Sequence, residues 1–159
     1  MTKYFEEIEV GEKIELGTHT FKADDIIRFA EKYDPQPFHL SEEGAAKTHF
    51  GRLCASGWHT AAVFMKLLVA TNKRLIEAAQ SEGRVPARVG PSPGFEKLKW
   101  IKPVFAGDTL TYLRVVTGKT GSRSRPEWGI VHSDMVARNQ NDEPVFSFKA
   151  NVFVERRKD

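Results

Sequence analysis

The chain has 159 residues, 24 Lys and Arg against 21 Asp and Glu for a net charge of +3, and 40% apolar residues. This is the composition and length of one globular domain (1–159), able to bury about 70% of its unfolded surface, and it excludes a disordered or collagen-like chain. The single Cys54 excludes an internal disulfide framework, and no apolar run approaches the roughly 18 residues of a membrane span.

The acidic opening, Met1 to Glu7, lacks the apolar centre of a signal sequence, so the expectation is a soluble cytoplasmic protein without a membrane partner. Ile8 to Ile14 reads as short extended segments broken at Gly11. Ile26, Phe29, Ala30 and Tyr33 then fall at helical spacing, with Asp24 and Asp25 at the positive end of that helix. Pro35 disfavours helical geometry at Asp34, so Asp34 to His39 is expected as a stiff, non-helical loop. Ser41 suits the cap of a short helix through Ala46. The longest helical signal runs from Gly57 to Ala79, with Trp58, Ala61, Ala62, Met65, Leu68, Val69, Leu75, Ile76 and Ala79 on one face. Its first half is apolar nearly all round, which predicts a helix buried through the middle of the domain. Gly83 to Gly94 is a loop. Strands follow over 95–101, 109–116, 128–138 and 145–155, the last two joined by a turn at 139–143. The expected architecture is α+β, an antiparallel sheet curled around a central helix.

Several motifs fail on inspection. Gly118-Lys119-Thr120 resembles the end of a phosphate-binding loop, but Leu113 stands where that loop needs its first Gly. Cys54 stands where a nucleophile elbow around Ser56-Gly57 needs Gly. His39, His49 and His59 have no metal-ligand spacing, so no metal is expected. The net charge is spread thinly. Its densest runs are Arg123-Ser124-Arg125 and Arg156-Arg157-Lys158, the second read as a solvated tail, and no nucleic-acid partner is expected.

What remains is a carboxylate and an imidazole, Asp34 and His39, on a loop stiffened by Pro35 and Pro37. Such a pair can orient one water and take its proton; the bland alternative is a surface turn. Ser56-Gly57 opens the long helix, where unpaired N–H groups and the helix dipole favour an oxyanion, and Gly57 lets a ligand oxygen come close. The alternative there is a plain cap and tight packing.

Phe29-Ala30, the run Asp34-Pro35-Gln36-Pro37-Phe38-His39, Phe50-Gly51-Arg52 and Ser56-Gly57 together resemble the MaoC-like dehydratase family, which includes the (R)-specific enoyl-CoA hydratases. Lys99 to Val104 and Gly107-Asp108-Thr109-Leu110 resemble its second signature, and the likeness runs from about Phe21 to Val154. The resemblance implies a single hot-dog domain and reversible syn hydration of trans-2-enoyl-CoA to an (R)-3-hydroxyacyl thioester, without metal or redox cofactor. Asp34 and His39 match the catalytic pair, and Gly57, with Ser56 beside it, matches the oxyanion position. The resemblance also implies at least a homodimer, with an acyl-CoA thioester as substrate.

Three positions depart from the family pattern: Gln36 where Asn is usual, Ser41 where Asp is frequent, and Ser56 where His commonly precedes the oxyanion Gly. They point to a divergent branch. Trp58 and His59 stand as acyl-pocket candidates, with core packing and a structural role as their alternatives. Lys97, Lys99, Lys102, Arg123 and Arg125 are phosphate-binding candidates by charge alone. Two other functions remain open: a hot-dog acyl-CoA thioesterase, and a non-catalytic acyl-CoA-binding subunit.

Overall fold

The computed structural model describes residues 2–157; Met1, Lys158 and Asp159 lie outside them. The chain runs through β1 (Lys13–Thr20), α1 (Ala23–Tyr33), α2 (Pro37–Leu40), α3 (Glu42–Ala46), α4 (Gly57–Ser81), β2 (Gly94–Trp100), β3 (Thr109–Gly121), β4 (Trp128–Arg138) and β5 (Pro144–Glu155). All strand pairs are antiparallel, in the order β1-β3-β4-β5-β2. Every second residue from Leu110 to Val116 of β3 and along the whole of β4 is buried, the period of two that a one-sided sheet imposes. Their inner residues Leu110, Tyr112, Met135 and Ala137 share one core with Val63 and Phe64 of α4 and Phe146 of β5.

The sheet does curl around the long helix, but it covers only one side of a first half expected to be buried nearly all round. Thr60, Val63, Phe64 and Thr71 of α4 are buried, whereas Trp58, Met65 and Val69 are 55%, 52% and 60% exposed. Part of the covered side is disguised as polar. The buried stripe contains two threonines, which count against it in any hydropathy pattern. Each hydroxyl is nevertheless satisfied, Thr60 donating to the Gly57 carbonyl at 2.6 Å and Thr71 to the Leu16 carbonyl at 2.9 Å. A buried hydroxyl with its hydrogen bond made carries little penalty. The single chain therefore leaves one apolar face of α4 uncovered.

Three other expectations need correction. β1 continues to Thr20, well past Ile14, with a bulge between Glu15 and Gly17 that its mixed polar residues conceal. Asp34 to His39 is not wholly non-helical: Pro37 starts the single turn α2, its fixed φ and missing N–H being harmless at a first helical position. The basic terminus is not simply solvated. Arg156 Nε donates to Glu6 Oε1 at 2.8 Å and Arg157 pairs with Glu7, so the last described residues fold back onto the short helical turn Phe5–Glu7; Lys158 lies outside the described residues. Lys119, from the discarded phosphate motif, donates to the carbonyls of Phe5 at 2.6 Å and Ile8 at 2.7 Å. Among the described residues no helix is long and apolar enough to cross a membrane.

Candidate active site

α1 ends where Pro35 forbids its continuation, leaving Asp34 at the C-cap with its N–H on the Ala30 carbonyl at 2.9 Å. The α2 turn then brings His39 back toward it, so that His39 Nε2 lies 3.5 Å from Asp34 Oδ2. His39 is 6% exposed, and its Nδ1 is 2.6 Å from the Cys54 carbonyl. A carbonyl only accepts, so Nδ1 carries a proton, and in the neutral form of the ring Nε2 presents a lone pair to Asp34. In that form two acceptors lie side by side, an arrangement that a water in the adjoining cavity completes by donating to both.

Asp34 is itself held on both oxygens. Ser56 Oγ donates to Oδ2 at 2.6 Å and Gln36 Nε2 to Oδ1 at 2.7 Å. Burial pushes the carboxyl upward, but these two bonds, with the positive charge of His39 when that ring is protonated, outweigh it and hold the group below its ordinary value. Two of the three departures from the family pattern are therefore the two donors on the carboxylate. The third, Ser41, caps α3 as its position suggested, accepting from the Gly44 N–H at 2.9 Å.

Ser56 also caps α4, its Oγ accepting from the Trp58 N–H at 3.2 Å. The His59 and Thr60 N–H groups bond the Ser56 carbonyl at 2.9 and 3.3 Å. Of the first helical turn this leaves the Gly57 N–H without an acceptor among the described residues. Glycine is required there by close approach. A Cβ on Gly57 would stand 2.5 Å from Trp100 Cε2 and 2.7 Å from Cδ1.

Asp34, His39 and Gly57 line one cavity of about 360 Å³, walled by Phe38, Phe50, Val104 and Val145 and bordered by Trp58 and Trp100. Trp58 thus reaches the pocket and is not core. His59 does not: it stacks on Phe29 at 4.5 Å and lines a separate hollow with His19 and Lys66. Burial and the neighbouring His19 push its imidazole down to about 4. Lys102 stands at the pocket and pairs with Glu143 at 2.5 Å. Lys97 and Lys99 line a different hollow, and Arg123 and Arg125 line neither.

Sequence reasoning missed the walls, although Phe38, Phe50, Trp100 and Val104 all lie within the stretches that carry the family likeness. Cys54 lies at the pocket with its thiol pushed up to about 11 by burial, which makes it a poor nucleophile. Among the described residues no group of three or more His, Cys, Asp or Glu is placed to hold a metal ion.

A family model described as "MaoC like domain" matches residues 6–134. The crystal structure of the MaoC-like dehydratase from Rhodospirillum rubrum is 35% identical, with 98% of this chain and 99% of that one covered at a TM-score of 0.80. R-Hydratase PhaJ1 from Pseudomonas aeruginosa, in its unliganded form, is 25% identical over 98% of this chain and 88% of its own, with a TM-score of 0.68. The uncharacterized protein YdeM of Bacillus subtilis is 29% identical over 151 residues, 95% of this chain and 98% of YdeM.

Proposed function

The chain belongs to the MaoC-like domain family, and on that premise we propose that it is a hydro-lyase adding water reversibly to trans-2-enoyl-CoA to give (R)-3-hydroxyacyl-CoA. The observation that carries the reading is the pairing of two opposed functions in one cavity. Two bases, Asp34 Oδ2 and His39 Nε2, face each other across 3.5 Å, and a free helix N–H at Gly57 lines the same space. The likeness to an R-hydratase supports it.

In this reading a water in the adjoining cavity bridges Asp34 Oδ2 and His39 Nε2, and its oxygen attacks C3. One proton of that water passes to the pair. The electrons of the C2–C3 double bond move toward the thioester oxygen, whose growing charge meets the Gly57 N–H and the positive end of α4. The pair returns a proton to C2, on the face from which the water came, so the addition is syn. The net change is hydroxyl on C3 and hydrogen on C2. Asp34 enters the cycle ionised because Ser56 and Gln36 stabilise its charge. The Cys54 carbonyl keeps the His39 lone pair aimed toward Asp34.

Purified protein incubated with short, medium and branched trans-2-enoyl-CoAs should bleach the conjugated enoyl absorbance, release no thiol and yield the (R)-alcohol. Thiol release in place of bleaching would make the protein a thioesterase. Binding of the thioesters without any turnover would make it a non-catalytic subunit.

The uncovered face of α4 is best explained by a second copy of this chain. β2 is an edge strand whose only partly buried residue is Leu98, and it carries exposed Phe95 and Trp100. Trp100 touches Trp58 of α4 at 5.2 Å, so the strand and the helix present one continuous apolar surface. Such an edge without a partner is an aggregation hazard. Sedimentation equilibrium should give about twice the 18.0 kDa chain mass; a stable monomer would overturn the dimer.

A further inference from the structure

We propose that the Trp100 indole N–H is a second donor to the substrate's thioester oxygen, acting beside the Gly57 N–H. This rests on the hydratase reading above and adds a catalytic group to it.

The indole lies directly against Gly57. Of its atoms, Nε1 is the nearest to the place where a Gly57 Cβ would stand. Since a Cα–Cβ bond is about 1.5 Å long, Nε1 lies within roughly 4 Å of the Gly57 Cα. Two N–H groups from different elements, one at the start of α4 and one at the end of β2, therefore stand close together in the wall of one cavity. Neither has an acceptor among the described residues. An indole nitrogen donates and does not accept, so an oxygen gaining negative charge is the complement of both.

Trp100 is also held in place. It pairs with Phe146 across the β2–β5 ladder, the next N–H, of Ile101, bonds the Val145 carbonyl at 2.8 Å, and its ring meets Trp58 edge to face. A donor fixed before the reaction needs no reorganisation when charge develops. If Trp100 served only as an apolar wall, any large ring would do, and its N–H would have no reason to stand at Gly57.

The test separates this role from packing and from the functional reading itself. Trp100→Phe keeps an aromatic ring and removes the N–H. It should lower kcat about 10²-fold, the low end for a lost oxyanion donor, with little change in KM. The second readout needs no turnover. In Asp34→Asn protein, bound trans-2-enoyl-CoA should absorb at longer wavelength than free thioester, because donors on the oxygen polarise the conjugated system. Adding Trp100→Phe should reduce that shift while the thioester still binds.

Trp100→His, with a ring N–H on a smaller ring, controls for a packing defect. Retention of the shift with His and its loss with Phe supports the donor. An unchanged kcat and shift in Trp100→Phe, or equal loss with Phe and His, overturns it while leaving the hydratase reading intact. Wild-type protein without turnover, together with Asp34→Asn protein that shows no bound spectrum, would overturn the functional reading and this inference together.

Discussion

Asp34→Asn is expected to fold like the wild type and to lose at least ~10²-fold in kcat, the low end for a missing general base. The fold survives because the Asp34 backbone, not its side chain, closes α1 through the Ala30 bond. An amide oxygen can still accept from Ser56. What disappears is the charge that takes a proton from water, and among the described residues no other carboxylate lines the cavity. Near-normal turnover by the folded variant would sink the mechanism.

The acid limb of the pH profile gives an independent check. An Asp34 pKa held low leaves the base ionised to lower pH than an ordinary aspartate. Ser56→Ala removes one of the donors responsible, so its acid limb should move to higher pH. Loss of the helix cap should cost about 1 kcal/mol of stability as well. A limb that stays in place would remove Ser56 from the charge balance of Asp34.

Gly57→Ala is the second substitution with a large expected effect, for a steric reason. In a helix, alanine is normally favoured over glycine by up to about 1 kcal/mol. Here the new methyl would enter the space of the Trp100 indole, and overpacking of this kind costs about 1–3 kcal/mol. The second effect outweighs the first, so the melting temperature should fall by several degrees. Activity should fall by about 10²-fold or more, because the methyl and the displaced indole both crowd the free N–H. Trp100→Ala opens the space that the methyl needs. The double variant should therefore recover stability relative to the sum of the single variants, a non-additivity expected only of groups in contact. Additive losses would mean that the two residues do not touch.

Much of this molecule is legible along its chain. β4 begins and ends at Trp128 and Arg138 as its alternation requires, and α4 begins at Gly57 because Ser56 caps it. Asp34 and His39, five residues apart, meet because one proline ends a helix and another starts a turn. The failures share a cause: local pattern records composition, while burial depends on what lies opposite. Thr60 and Thr71 look polar until their hydroxyls find carbonyls. Ser56 stands far along the chain from Asp34, and nothing near either residue announces their bond. His59 follows directly on the pocket residues Gly57 and Trp58, yet the helical rotation carries it to the other side of α4.

The bond that orients His39 ends on a peptide oxygen, and this sets what genetics can see. Every substitution at position 54 except the backbone-altering ones preserves that oxygen, so an alanine scan would report Cys54 as dispensable while the most important contact of the residue stayed in place. The strand of backbone that carries it is moored at its ends: Leu53 donates to the Glu42 carboxylate at 2.9 Å and Ala55 to the Val104 carbonyl at 2.7 Å. The imidazole's aim is thus inherited from main-chain moorings, and a defect in it would surface in a screen as a lesion at Glu42, a residue that never meets the substrate.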